Sequence, residues 1–302
     1  MGVNYKEVRN ARQWKATTGL SQAEFNSLTL SFGQAYERVH EISLTQGAQN
    51  LKQEVGLSSY ADCLYFVLFQ LKTGLTQDCL GVVFNMDGSS ALRNFQKYLS
   101  ILELALQQQQ ALPRRHFQTL EEFKKYLRLE PEIITDVTEI RTERPANKEK
   151  QQDRYSGKKS HTVKSLLLTN QKKRILYVSE LYEGSVHDYH LLQDCFSPEV
   201  NWFKQKIIRM DLGFQGFKDL YECQKVYIPY KKKRCAAGQS NELSEQQKAI
   251  NKEQAGQRIK VEHSIGGMKR YRILSHRLAI RSIATINCII GICAGLWNLI
   301  LK

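Results

Sequence analysis

Three segments decide how this chain folds: EIITDVTEI (132–140), IIRMDLGFQG (207–216) and RIKVEHSIGGMKRYR (258–272). The first two contain apolar, β-branched runs that are typical of strands, and the third has the basic, periodic character of a helix. Each segment carries a central acidic residue: Asp136, Asp211 and Glu262. If the three carboxylates converge, they offer the oxygen ligands that Mg²⁺ or Mn²⁺ prefers, and such a site supports metal-assisted phosphodiester cleavage.

The charge of the chain favours a polyanionic partner. Among 302 residues, 44 Lys and Arg outnumber 30 Asp and Glu, so the formal net charge is +14. An excess of this size is typical of proteins that bind nucleic acid. The alternative is an enzyme whose surface is merely basic, because net charge is a property of association and not of fold.

Cysteine usage and apolar runs predict a cytoplasmic protein that is not inserted in a membrane. The seven cysteines are scattered without a CxxC pair, which argues against a disulfide framework or a zinc module. The N-terminus lacks the apolar centre of a signal peptide. The apolar run 283–301 is interrupted by Thr285, Asn287 and Asn298, so we expect a buried helix that seals the core and not a transmembrane span.

Residues 1–112 are predicted to form a helical DNA-binding region. Residues 21–42 carry apolar side chains at helical spacing, from Phe25 to Val39, behind a Ser21–Glu24 capping box. Short helices broken at Gly-containing turns predict a helix-turn-helix at about 60–106, and we expect its recognition helix, 89–104, to present Arg93, Asn94 and Lys97 to DNA. The alternative is a plain helical bundle.

Residues 113–302 are predicted to form an α/β catalytic domain with a polar insertion at about 231–257. Strand-like segments follow one another at 161–170 and 174–184, and a helix is expected to start near a Ser185–Asp188 capping box. If the strand with Asp136 lies beside the strand that ends at Asp211, a mixed sheet brings both carboxylates together. This arrangement is that of a ribonuclease-H-like core.

Six motifs in this order resemble the DDE-superfamily transposases of bacterial insertion sequences, in particular insertion-sequence family five and the Harbinger-like elements. They are LKTGLTQDCLGVVFNMDGSSALRNF (71–95), the strand with Asp136, YSGKKSHTVKSLLLTN (155–170), GSVHDYHLL (184–192), MDLGFQG (210–216) and RIKVEHSIGGMKRYRIL (258–274). The resemblance covers most of the chain. It implies that Asp136, Asp211 and Glu262 form the catalytic triad and hold two Mg²⁺ or Mn²⁺ ions.

The resemblance also implies how DNA is held. Arg258, Lys269 and Arg270 surround Glu262 on a basic helix and are expected to contact phosphate. A second basic stretch, with Lys158, Lys159 and Lys164, is expected to bind phosphate near the cleavage site. The alternatives are a solvated helix face for the first group and a charged strand edge for the second. Gly266 and Gly267 in the same helix indicate either close approach to DNA or a kink.

A transposase binds the terminal inverted repeats of its element, cleaves its ends and joins the 3′-hydroxyls to target DNA. These steps imply double-stranded DNA as partner and a homodimer or higher oligomer, in a bacterial, nucleoid-associated setting. Two other readings remain open. One is a ribonuclease-H-like nuclease without strand transfer, and the other is a non-catalytic DNA-binding protein derived from a transposase.

Overall fold

The computed structural model describes residues 2–51, 57–157, 160–232, 242–278 and 280–301. Contacts between Cα atoms divide the chain into two compact units. Unit 1 consists of residues 1–113, 140–144 and 267–302, and unit 2 of residues 114–139 and 145–266. The C-terminal segment therefore clusters with the N-terminal helices, although the sequence assigned it to the catalytic domain.

Most of the described chain is helical. The helices are α1 (Ala11–Thr17), α2 (Gln22–His40), α3 (Leu44–Leu51), α4 (Tyr60–Thr73), α5 (Gln77–Phe84), α6 (Gly88–Gln108), α7 (Leu120–Tyr126), α8 (Lys148–Arg154), α9 (Asp188–Cys195), α10 (Phe217–Leu220), α11 (Glu245–Lys269), α12 (Arg272–Ser275) and α13 (Ile283–Leu299). Short 3₁₀ helices span Tyr5–Glu7 and Leu212–Phe214. The strands are β1 (Glu132–Arg141), β2 (Thr162–Thr169), β3 (Ile175–Val178), β4 (Tyr182–Glu183), β5 (Ile207–Arg209) and β6 (Lys225–Tyr227).

In unit 1, the long helix α6 packs against α2, α4, α5 and α13. The predicted Ser21–Glu24 capping box forms at the start of α2, and the apolar stripe of that helix is buried from Phe25 to Tyr36. Val39 is 48% exposed, so the buried stripe ends one turn before the sequence pattern does. The core of unit 1 is formed mainly by helix faces on which apolar residues recur at intervals of three and four positions.

Helices α4, α5 and α6 follow one another through three-residue turns. Gly74 ends α4 with a positive φ of 66°, a conformation that glycine adopts without strain. Asn85 ends α5 in the same left-handed region. Helix α6, Gly88–Gln108, contains the predicted recognition helix and is capped by Asp87, whose Oδ1 accepts a hydrogen bond from Ser90 N at 2.8 Å.

The C-terminal helix α13 is buried, as its apolar sequence predicts, and Asn298 donates a hydrogen bond from Nδ2 to Ala111 O at 2.9 Å. This bond satisfies an amide that interrupts the apolar run. Among the described helices, none combines the length and the hydropathy that crossing a membrane requires.

Unit 2 is built on a mixed sheet with strand order β3–β2–β1–β5–β6, and β4 pairs with β2. The pairs β2–β3 and β2–β4 are antiparallel, whereas β1–β5 and β5–β6 are parallel. Helix α9 lies in the connection from the antiparallel strands to β5. Phe123, Phe196, Phe203 and Phe217 belong to the aromatic cluster that fills the core of this unit. The mixed sheet confirms the predicted α/β class and is consistent with a ribonuclease-H-like core, whereas the helix-turn-helix stays a prediction.

Candidate active site

The register of two parallel strands positions Asp136 and Asp211. Strand β1 pairs with β5 so that Ile133 lies opposite Ile208 and Ile134 opposite Arg209. Continuing this register two residues brings Asp136 opposite Asp211, and neighbouring strands are separated by about 4.8 Å. Each aspartate comes after a buried apolar part of its strand, because the strand runs through the core before it reaches the sheet edge where the aspartate lies. The sheet therefore brings the first two predicted carboxylates together.

Backbone amides fix the orientation of both carboxylates. Asp136 Oδ1 accepts a hydrogen bond from Val137 N at 2.8 Å, and Asp211 Oδ1 accepts one from Gly213 N at 2.8 Å. The second bond makes Asp211 the cap of the 3₁₀ turn Leu212–Phe214. Each carboxylate retains an oxygen, Oδ2, that these bonds do not use.

A third carboxylate at this site is Asp188, which the sequence analysis regarded as a helix cap. A Cβ placed on Gly213 would lie 2.9 Å from Asp211 Oδ1 and 3.2 Å from Asp188 Oδ2, so these two oxygens are at most about 6 Å apart. The predicted Ser185–Asp188 capping box is wrong. His187 is the cap of α9, with Nδ1 accepting from Tyr189 N, and Asp188 is the first helical residue.

Lys164 holds Asp188 in place. Its Nζ donates hydrogen bonds to Asp188 Oδ1 and to Val186 O, both at 2.9 Å. The Lys164 side chain is only 10% exposed, and it was predicted to bind DNA phosphate; both of its contacts are internal. A cavity of about 420 Å³ opens beside this pair and is also lined by Glu139 and Tyr155.

The environment of Asp136 disfavours its charged form. Its pKa is raised from 3.8 to about 6, chiefly by burial and also by the carboxylates of Asp211 and Asp188, against the opposing effects of Val137 N and Arg258. Like charges held this close repel one another, and a cation placed among them relieves the repulsion. The electrostatics of the site therefore favour a bound cation.

The predicted third ligand lies on α11. Arg258 in this helix approaches Asp136, with 3.8 Å between Nη2 and Oδ2, and Glu262 follows one helical turn later on the same face. Glu262 is exposed. Arg258 was predicted to contact phosphate; it is largely buried beside the catalytic candidate, and its Nε has no hydrogen-bond partner in the described structure.

The donor set fits a hard divalent cation by chemistry, because carboxylate oxygens are the ligands of Mg²⁺ and Mn²⁺. Within the described ranges, however, no group of three or more Asp, Glu, His or Cys side chains is close enough to hold a metal ion. Arg258 lies against Asp136, Lys164 against Asp188, and Glu262 is turned to solvent.

The other residues predicted to contact DNA differ in the exposure of their side chains. Arg93 and Lys97 lie on the exposed side of α6, where Arg93 Nη2 donates to Ser90 Oγ and Lys97 Nζ donates to Tyr36 OH. Asn94 is half-buried and donates to Met86 Sδ at 3.6 Å. Lys158 and Lys159 lie outside the described residues.

At the C-terminal end of α11, Lys269 is half-buried, and the Arg270 guanidinium lies 5.4 Å from the centroid of Trp297. The helix is continuous through both glycines. A Cβ on Gly267 would lie 2.2 Å from Cε3 of Trp297, whereas one on Gly266 would meet nothing within 4 Å. Packing against Trp297 therefore accounts for Gly267, and neither a helix break nor DNA is needed to explain it.

Comparisons with known proteins place this chain in a protein family. Residues 135–298, more than half of the chain, match the protein family described as DDE superfamily endonuclease. The chain is 30% identical over 146 residues to a protein of Microchaete diplosiphon named "Probable transposase for insertion sequence element IS702". That match covers 48% of this chain and 49% of the relative, so the chain spans about half the length of the curated relative it matches. No solved structure matches the chain at a significant level.

Proposed function

This chain belongs to the DDE superfamily endonucleases, and from that premise we propose that it is the transposase of an insertion sequence. It binds the terminal inverted repeats of its element, cleaves the element's ends and joins the freed 3′-hydroxyls to target DNA. The observation that carries this proposal is the β1–β5 register, which brings Asp136 opposite Asp211 inside the segment that matches the family.

DDE superfamily endonucleases use divalent metal ions. We propose that Asp136, Asp211 and Glu262 would hold two Mg²⁺ or Mn²⁺ ions at this site. When bound, the ions supply Lewis-acid activation of the attacking oxygen and neutralise charge at the scissile phosphate. The carboxylates hold no covalent intermediate, so the same pocket serves first for hydrolysis and then for attack by a 3′-hydroxyl.

The neighbouring residues of this chain prepare the site. The charge of Asp188 is compensated by its ion pair with Lys164, so the negative charge that attracts divalent cations is that of Asp136 and Asp211. Arg258 neutralises part of this charge at rest through its contact with Asp136. With cations held by the carboxylates, Arg258 would be available to contact the scissile phosphate, because guanidinium groups match phosphate oxygens.

Recognition of DNA belongs to the helical region. We propose that residues 1–112 form the DNA-binding domain and residues 113–302 the catalytic domain, with α5 and α6 as the helix-turn-helix. Arg93 and Asn94 near the start of α6 read base edges, and Lys97 contributes a nearby positive charge. Lys158, Lys159, Lys269 and Arg270 contact phosphate. Two element ends must be held together during transposition, so the active form is a homodimer or a higher oligomer on DNA.

A cleavage assay tests the proposal. The substrate is a supercoiled plasmid that carries the genomic sequences flanking the gene, incubated with purified protein and Mg²⁺. We expect nicks at the element's ends, followed by joined products. Asp211→Asn should abolish both, whereas Asp219→Asn, an exposed aspartate in α10 eight residues further along the chain, should leave both unchanged.

The same assay separates the alternatives. Nicks without joined products would identify a ribonuclease-H-like nuclease without strand transfer. Specific binding to the flanks without any cleavage would identify a DNA-binding protein derived from a transposase. Cleavage that persists in Asp211→Asn would contradict the assigned site.

A further inference from the structure

A cavity of about 290 Å³ lies within unit 1, between the turn that joins α4 to α5, the side of α6 and the segment after α12. Its walls are apolar, with Leu75, Phe95 and Ile273 among the lining residues. Arg277 and Arg281 stand at its edge, and both are exposed. A largely apolar cleft with a few polar groups and a cationic edge is a usual form of a small-ligand site.

Two side-chain amides inside this cavity have unused acceptors. Gln70 is 1% exposed, and its Nε2 donates to Leu75 O at 2.7 Å. That bond fixes the amide orientation, because exchanging the two ends would place Oε1 against the carbonyl oxygen. Oε1 of Gln70 and Oε1 of Gln77 are both buried and lack a hydrogen-bond partner in the described part of the chain. Buried acceptors without partners are costly and uncommon, so these two point to a ligand that brings donors.

The required ligand is defined by three features. It donates N–H groups to the two glutamine oxygens, it has an apolar body that fits between Leu75 and Phe95, and it carries negative charge toward Arg277 and Arg281. A nucleobase with its phosphate has all three, because amino and ring N–H groups lie on the edge of a flat apolar ring. We propose that this cavity binds the nucleobase of a nucleotide, either free or extruded from a DNA strand.

Each source of the base makes a different prediction. A free nucleotide would act as an effector of the protein and needs no DNA. For a base extruded from DNA, the inference rests on the proposed function. Binding of that base would let the helical unit detect an unpaired DNA end. The base has to leave its stack to enter the cavity, so a single strand should bind more tightly than a duplex.

The test measures binding to the full-length protein by calorimetry and by thermal shift. The probes are the four deoxynucleoside 5′-monophosphates, the corresponding ten-nucleotide homopolymers and the duplex formed from the complementary pair. The variants are Gln77→Leu and Gln70→Leu, each of which removes an unused acceptor. Gln34→Leu, at an exposed position of α2, is the matched control.

We expect one base to bind more tightly than the other three, with a tenfold or greater loss in Gln77→Leu and no change in Gln34→Leu. Because Gln77→Leu removes an unsatisfied buried acceptor, the melting temperature of the protein without ligand should stay the same or rise. Should Gln70→Leu fail to fold, Gln77→Leu alone decides the matter. Binding of monophosphates indicates a free nucleotide, and binding of homopolymers only indicates a base from DNA.

The proposal is overturned if neither kind of probe binds, or if Gln77→Leu binds both as tightly as the wild type. Its failure is distinct from failure of the proposed function. Plasmid cleavage depends on Asp136 and Asp211 in unit 2, so a protein that cleaves and joins DNA without binding any probe refutes only the cavity.

Discussion

Asp136→Asn should make the protein without metal more stable at pH 8. Burial and the carboxylates of Asp211 and Asp188 raise the pKa of Asp136 from 3.8 to about 6. The folded protein therefore binds this proton more tightly than the unfolded chain does. The stability that this proton confers is fully present below about pH 4, falls as the pH rises, and is lost above about pH 6.

The size of the effect follows from the shift. One pKa unit corresponds to about 1.4 kcal/mol, and the Asp136 side chain is only 18% exposed, so the loss between pH 4 and pH 8 is about 2–3 kcal/mol. The amide side chain in Asp136→Asn is neutral at both pH 4 and pH 8. The variant should therefore match the wild type at pH 4 and exceed its free energy of unfolding by about 2–3 kcal/mol at pH 8.

Urea unfolding with a chelator present, at pH 4 and pH 8, measures this difference. For each protein, the free energy of unfolding at pH 4 is subtracted from that at pH 8. The value for the wild type is then subtracted from the value for the variant, which cancels the contributions of the other titrating groups. Asp219→Asn, an exposed aspartate, is the control and should give a difference near zero. Adding Mg²⁺ at pH 8 should stabilise the wild type and not Asp136→Asn. An Asp136→Asn protein that is less stable than the wild type at pH 8 would refute the reasoning.

Four further substitutions have expected outcomes. Arg93→Ala should weaken binding to the element's ends by about 1–3 kcal/mol and relax the preference at one base pair, as measured by gel shift on single-base variants of the site; uniform weakening would contradict base readout. Lys269→Ala should weaken binding to all sequences and lower the slope of log K against log salt by about one unit, and an unchanged slope would exclude a phosphate contact. Gly267→Ala should destabilise the protein by about 1–3 kcal/mol through overlap with Trp297. Gly266→Ala, with nothing within 4 Å, should stabilise it by up to about 1 kcal/mol, and equal melting temperatures for the two variants would refute the packing assignment.

The sequence predicted the mixed sheet well, because local patterns encode its strands, and the catalytic role of Asp136 and Asp211 stays a prediction. β-branched apolar runs marked the strands β1 and β5. Asp136 lies within the first run and Asp211 just after the second, so each carboxylate could lie only at the sheet edge or in its core. The pairing of these strands followed from the helix between them, since a crossover returns a strand parallel to an earlier one. The register then brought Asp136 opposite Asp211.

The contacts that depend on tertiary structure were missed. Asp188 fits a capping pattern in sequence, and only the position of β2 shows that it is bound by Lys164, 24 residues away. Gly267 offers no local signal for Trp297, because the two are 30 residues apart and meet only through packing of helices. Lys164 lies five positions past the Lys158–Lys159 pair, and in sequence it is indistinguishable from a DNA contact until its burial is known.

The central claim is that Asp136, Asp211 and Glu262 together hold the divalent ions that cleave DNA. Calorimetric titration of Mn²⁺ at pH 8 into the wild type, Asp136→Asn, Asp211→Asn and Glu262→Gln tests it most directly, with the exposed Glu199→Gln as control. We predict binding to the wild type and to the control, and at least tenfold weaker binding to each of the other three. Mn²⁺ affinity that is unchanged in Glu262→Gln and Asp211→Asn would contradict the account.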